Sequence, residues 1–189
     1  MNMDIIAEDN SDIVVIKAVT LSLLAPHRIG FKRFVGKGCG RVRSKCRAWA
    51  ENLVRQGCLW VTVVHDLDKR NECELRQELE LVIAGARSRA SVVLLPKQEI
   101  EAWLLYDAAA IAMAFNESKH PKLRHNPESL DDPKGYLGDI VWKHYRKDYI
   151  NTDHNEAIAK YVDVSLLKRS PSFAPHLPFV RKIKETIRG

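Results

Sequence analysis

The sequence predicts an α/β fold: a mostly parallel sheet with helices on both faces, followed by a helical C-terminal extension. Three observations predict it. Short apolar runs alternate with helix-length segments through the first part of the chain. The runs at residues 3–7 (MDIIA), 58–64 (CLWVTVV) and 91–95 (SVVLL) are nearly continuous in apolar residues, as strands buried on both faces are. From about His120 strands disappear and proline recurs at positions 121, 127 and 133. The chain therefore divides into an α/β core, residues 1–118, and a helical extension, residues 119–189, packed on that core rather than forming a separate domain.

The elements follow in order. Residues 3–7 form the first strand and end at Glu8. Asn10 or Ser11 caps a mostly buried helix over residues 13–24, which Pro26 stops. Residues 29–35 form a short strand or hairpin before a glycine-rich stretch. Ser44 caps a helix over residues 45–56 that Gly57 ends. The β-branched and aromatic strand at 58–64 leads into His65-Asp66-Leu67-Asp68. A charged amphipathic helix spans residues 71–86, with Asn71 as a cap. The strand at 91–95 ends at Pro96, and one long helix runs over residues 98–115. In the extension, helices cover 134–146, 155–161 and 179–187, the first with Pro133 in its opening turn.

Composition narrows the function. Hydrophobic residues at 46% and charged residues at 29% suit a water-soluble domain, and no apolar run reaches the length that crosses a bilayer. No basic segment followed by an apolar one opens the chain, so the expected location is cytoplasmic, with no membrane partner. Cys39, Cys46, Cys58 and Cys73 form no CxxC pair, which leaves zinc and a disulfide framework without support and predicts reduced, partly buried thiols. The net charge of +6 favours polyanionic partners. Residues 28–47 carry Lys32, Arg33, Lys37, Arg41, Arg43 and Lys45 without an acid, interrupted by glycines at 30, 36, 38 and 40. They read either as a flexible basic loop that follows a phosphate backbone or as a solvated surface loop.

The carboxylates carry the chemistry. Glu8, Asp66, Asp68 and Glu99 all fall just past a predicted strand end, where parallel sheets gather functional groups. Asp66 and Asp68 point the same way if their loop is extended, and two like charges call for a cation between them. Mg²⁺ or Mn²⁺, hard ions with a preference for carboxylate oxygen, are suited. Asp12, in the first turn of its helix, faces back toward Glu8. Glu99 and Glu101 open the next helix and lie on different sides of it, so at most one points at the metal. Lys97 either contacts a phosphate oxygen or holds a carboxylate in place, Trp103 packs in the core, and His65 ranks below the acids.

Glu8 and Asp12 in EDNSD, with hydrophobic residues 59–64 running into Asp66-x-Asp68, resemble the Toprim signature. Toprim domains occur in topoisomerases, bacterial primases, recombination proteins and OLD-type nucleases, where the glutamate and the DxD bind Mg²⁺ for phosphodiester chemistry. The stretch LPKQEIEAWLLYD (95–107) and residues 155–173 are similar to a narrower bacterial family with a Toprim-like core, related to that of the OLD-type nucleases. The resemblance implies a Rossmann-like Toprim core and a role in phage or mobile-element defence. The usual Toprim glycine after the glutamate is Asp9 here, and no tyrosine nucleophile can be assigned, which argues against a topoisomerase.

The expected activity is metal-dependent cleavage of nucleic acid. Asp66 and Asp68 hold the ion. Glu8 completes the site or serves as general base, Glu99 or Glu101 supports a second ion, and Lys97 with the basic stretch binds phosphates. Two alternatives stand beside it: a nucleic-acid-binding Toprim module without catalysis, and an effector switched on by an ATPase or other operon partner. The chain has no GxxxxGK[ST] motif, so any ATP-derived energy must come from outside it.

Overall fold

A computed structural model describes residues 2–188, apart from the side chain of Cys39. Among the described residues, strands β1 (Asn2–Ala7), β2 (Gly30–Val35), β3 (Cys58–Val64) and β4 (Ala90–Leu94) form one sheet in the order β2-β1-β3-β4. Every pairing is parallel, with Ile6 beside both Phe34 and Val63. The order reverses between β1 and β3: the chain leaves β1 toward β2, then crosses back to β3. A crevice opens at the carboxyl ends of two strands related in this way.

Both faces are covered. Helix α1 (Asn10–Leu24) lies on the face that presents Met3, Ile5 and Ala7. Helices α2 (Cys39–Arg55) and α3 (Glu72–Ala84) cover Ile6, Val61 and Val63 on the other. The acidic residue after Glu8 has a structural task. Asp9, not Asn10 or Ser11, caps α1: its Oδ1 accepts from Ser11 N at 2.8 Å, and Asp12 Oδ2 accepts from Asp9 N at 3.0 Å, a reciprocal capping box. Asp9→Ala is expected to cost about 1 kcal/mol in urea unfolding through loss of that cap.

Two expectations are corrected. The basic stretch is not a loop. Phe31 and Val35 pack against the core, β2 pairs along its whole length with β1, and α2 begins at Cys39, so Ser44 lies inside the helix. Val42, Cys46, Ala50 and Leu53 repeat at helical spacing and are buried, which extends α2 one and a half turns earlier than its caps suggested. Only residues 36–38 turn, with Lys37 at φ 55° and Gly38 at φ 118°, the latter a conformation suited to glycine. The helix expected over 98–115 is also broken, into α4 (Glu101–Leu104) and α5 (Ala108–Ala114). Asp107 causes the break: its Oδ1 accepts from Ala109 N and Ala110 N as a fresh cap, and its Oδ2 accepts from Asp163 N.

The C-terminal residues form α6 (Pro133–Tyr145), α7 (Asn151–Tyr161), α8 (Val164–Leu167) and α9 (His176–Arg188), with a 3-10 turn at Pro127–Ser129. Pro133 opens α6, as expected, and Asp132 caps it. Helix α7 begins four residues before the expected start, and α8 was not anticipated. Leu137, Ile158, Phe173 and Ile183 share one buried cluster with Met3, Ile5 and Trp60, so a single core spans the boundary at residue 118. Trp103 is fully buried, donates from Nε1 to Ser172 Oγ at 2.8 Å and meets Phe173 edge-on, confirming it as a packing residue. Cys46 and Cys58 are buried free thiols and Cys73 is exposed; the Cys39 thiol lies outside the described residues. No helix among the described residues is long and apolar enough to cross a membrane.

Candidate functional site

Because β1 and β3 are neighbours, the residues that leave them meet. Glu8 Oε1 accepts from Asp66 N at 3.2 Å, closing a contact between positions 58 residues apart. His65 is fully buried beneath them, its Nδ1 3.1 Å from Glu8 Oε1 and 2.7 Å from Asp66 O. The β4 exit joins the same edge, since His65 N donates to Leu94 O and Leu67 N to Pro96 O. A cavity of about 240 Å³ opens here, lined by Glu8, Asp9, Ser11, Asp12, Asp66, Glu99 and Glu101, with Lys37, Gly38, Lys134 and Asn151 also on its wall.

Each acid is held differently. Asp12 is buried in the first turn of α1 by the capping box. Glu99 precedes α4 and accepts from Lys134 N, at the start of α6, at 2.9 Å. Glu101 is 3% exposed at the head of α4. Its Oε1 lies 3.0 Å from Asn155 Nδ2 and 3.1 Å from the Tyr149 hydroxyl, which is itself 2.5 Å from Asn155 Oδ1. Because Glu99 sits in a turn rather than on the helix, both glutamates reach the cavity, contrary to the expectation that only one would.

Crowding these carboxylates away from water makes ionisation costly. Burial, reinforced by Asp12, Glu8 and Glu101, pushes Asp66 up to about 10. Burial, with Glu101 and Asp9 adding to it, pushes Asp12 up to about 7. Burial also raises Glu8, against the opposing pull of His65 and of the Asp66 backbone hydrogen bond. Burial and the neighbouring Glu101 raise Glu99. Asp66 Oδ1 is buried without a hydrogen-bond partner, as is His65 Nε2. A set of oxygen donors with an orphaned carboxylate oxygen fits a hard divalent cation. The acids line the cavity without being drawn together: among the described residues no three or more His, Cys, Asp or Glu side chains form a ready ligand cluster.

Glu8, Asp12, Asp66, Glu99 and Glu101 thus share one cavity wall as candidate ligands. Asp68 does not join them. The loop turns at Asp68, whose φ of 50° is left-handed, leaving it exposed and off the cavity wall, so the two aspartates do not point the same way. Lys97 faces a different cavity. Of the basic residues expected to bind phosphate, Lys37 lines the site. Lys32 donates to Gln56 O, Arg33 to Asn10 Oδ1 and Arg43 to both carboxylate oxygens of Glu78, while Arg41 and Lys45 are exposed on α2. Lys134, Tyr149, Asn151 and Asn155 were not anticipated. Asn155 was detectable, because it is a polar residue on the face of α7 that also buries Ile158 and Ala159.

A family model described as a domain of unknown function (DUF4276) matches residues 8–180. The chain belongs to the DUF4276 family. The matched span opens at Glu8, the first acid of the cavity, and contains every residue of the cavity wall. No curated protein and no solved structure matches the chain.

Proposed function

We propose that this DUF4276 protein is a divalent-cation-dependent nuclease that hydrolyses a phosphodiester bond in nucleic acid, a cytoplasmic enzyme with a Toprim-like centre. The observation that carries the reading is the meeting of Glu8 and Asp66 at the reversal of strand order, with four further carboxylates around one cavity. Glu8, Asp12 and Asp66 would hold Mg²⁺ or Mn²⁺, with Glu101 and Glu99 on the same cavity wall. The bound ion would polarise the phosphoryl oxygen and offset charge on the attacking and leaving oxygens.

The protein's own groups do the rest. His65, lodged between Glu8 and the Asp66 carbonyl, fixes the direction of the Glu8 carboxylate, which ligates or takes the proton of the attacking water. Asn155 and Tyr149 aim Glu101 into the cavity. Lys37 and Lys134 at the wall draw the phosphate toward an otherwise acidic centre. A second reading, a nucleic-acid-binding module completed or activated by a partner such as an ATPase, is favoured by two observations: Asp68 stands outside the cavity, and among the described residues the acids are not gathered. Calorimetric titration with Mn²⁺ tests the metal site. Wild-type protein is expected to take up the ion saturably and Asp66→Asn to bind it at least about 10-fold more weakly. Wild-type protein that takes up no Mn²⁺ sinks the nuclease reading.

A further inference from the structure

A second cavity, of about 460 Å³, lies on the other side of the turn that follows β4. Its wall includes Lys97, Tyr106, His125, Asn126, Glu128 and Arg169. Lys97 and Arg169 have no carboxylate within 4.0 Å among the described residues. Glu128, the acid on that wall, is already engaged: it is 8% exposed, and its Oε1 accepts from Ser170 Oγ, Ser172 Oγ and Ser172 N. The cavity is therefore cationic at its mouth, with its acid tied down at its base.

Arg169 is also held in place. The Arg169 guanidinium stands 5.7 Å over the Tyr106 ring, which steadies its plane and leaves its N–H edge free. Ser170 and Ser172, next along the chain, are fastened to Glu128 and to the Trp103 indole. A fixed guanidinium beside an ammonium group, both without a carboxylate, matches a phosphate diester.

The position of Lys97 decides what kind of phosphate. It precedes Glu99, on the wall of the acidic cavity, by two residues, so their Cα atoms are no more than about 7 Å apart. We infer that the Lys97–Arg169 cavity is a subsite for backbone phosphates of the nucleic-acid strand flanking the bond held at the acidic cavity. This inference rests on the nuclease reading. A polyanionic strand reaches both cavities at once, whereas a free anion has no reason to bind beside six carboxylates.

Fluorescence anisotropy of a fluorescein-labelled single-stranded oligonucleotide, in EDTA and over a range of salt concentrations, tests it. Lys97→Gln/Arg169→Gln is expected to weaken binding about 10-fold or more and to lower the log–log salt slope by about 1.4, the effect of two lost phosphate contacts on a single strand. Arg89→Gln/Lys182→Gln removes the same charge at the opposite end of the sheet, where both line a separate depression, and should leave the slope unchanged. An unchanged slope in the first variant, an equal fall in both, or no binding by wild-type protein overturns the subsite. So does displacement of the oligonucleotide by inorganic phosphate alone at low millimolar concentration, which would mark an isolated anion site. Mn²⁺ titration of the same variant separates the two readings. Normal uptake with an unchanged slope removes the subsite and leaves the nuclease reading. A selective fall in slope, in a protein that takes up no Mn²⁺, removes the nuclease and leaves a strand-binding cavity.

Discussion

Replacement of Asp66 by asparagine is expected to lower Mg²⁺-dependent cleavage of a labelled oligonucleotide by about 10³-fold, and Glu8→Gln by a similar factor. Both substitutions keep side-chain volume while removing the charge that a hard cation requires. The Asp66 Oδ1 has no protein partner, which leaves it open to the ion. The fold should survive. The Asp66 N–H still donates to residue 8, and Asp66→Asn removes a carboxyl that the folded chain must keep protonated at pH 8 while the unfolded chain ionises it, so the metal-free variant should be more stable than wild type at that pH. Asp68→Asn is the internal comparison: Asp68 is exposed and off the cavity wall, so cleavage should fall by less than about 10-fold. Cleavage that persists in purified Asp66→Asn, or that collapses equally in Asp68→Asn, rejects the assignment of ligands.

Metal-free protein should lose stability as pH rises, and added Mn²⁺ should reverse the trend. Asp66 is pushed up to about 10 and Asp12 to about 7, both from an ordinary value of 3.8. Below that ordinary value the folded and unfolded chains both carry these protons, and nothing is lost. Above it the unfolded chain releases them while the folded chain keeps them, so stability falls with pH until the folded groups ionise. The fully buried His176, lowered to about 3 by burial, acts in the opposite sense between about 3 and 6.5, because there only the unfolded chain takes up its proton. The clean window is therefore pH 7–9, where His176 is neutral in both states and Asp66 dominates. A cation replaces the protons, so its affinity should rise with pH and its binding should release protons to the buffer. At about 100-fold over its Kd, Mn²⁺ should add about 2.7 kcal/mol, or roughly 5–10 °C in Tm for a chain of this size. A melting temperature that is flat across pH 7–9 without metal, and unmoved by Mn²⁺, contradicts the electrostatic account of the site.

The fold was largely legible because burial patterns are local. The runs ending at Ala7, Val64 and Leu95 announced three of the strands, the last to within a residue of its end, and Asn71 and Pro133 announced helix starts where they occur. Local signals misled where a side chain answered to distant partners. Asp107 reads as an ordinary helix residue until Asp163 N occupies its second oxygen and its first caps α5. The basic residues between 28 and 47 look like a loop until the apolar repeat of Val42, Cys46, Ala50 and Leu53 meets the sheet.

The sequence by itself determined that acids stand at the exits of buried parallel strands, because hydrophobic periodicity marks where each strand ends. Only the tertiary structure decided that β1 and β3 lie side by side and so bring Glu8 to Asp66, since strand order depends on crossovers that no local pattern encodes. It also decided which acids enter. One left-handed residue turns Asp68 outward, while the packing of α6 and α7 against the core brings Lys134, Tyr149 and Asn155 to hold Glu99 and Glu101 in place.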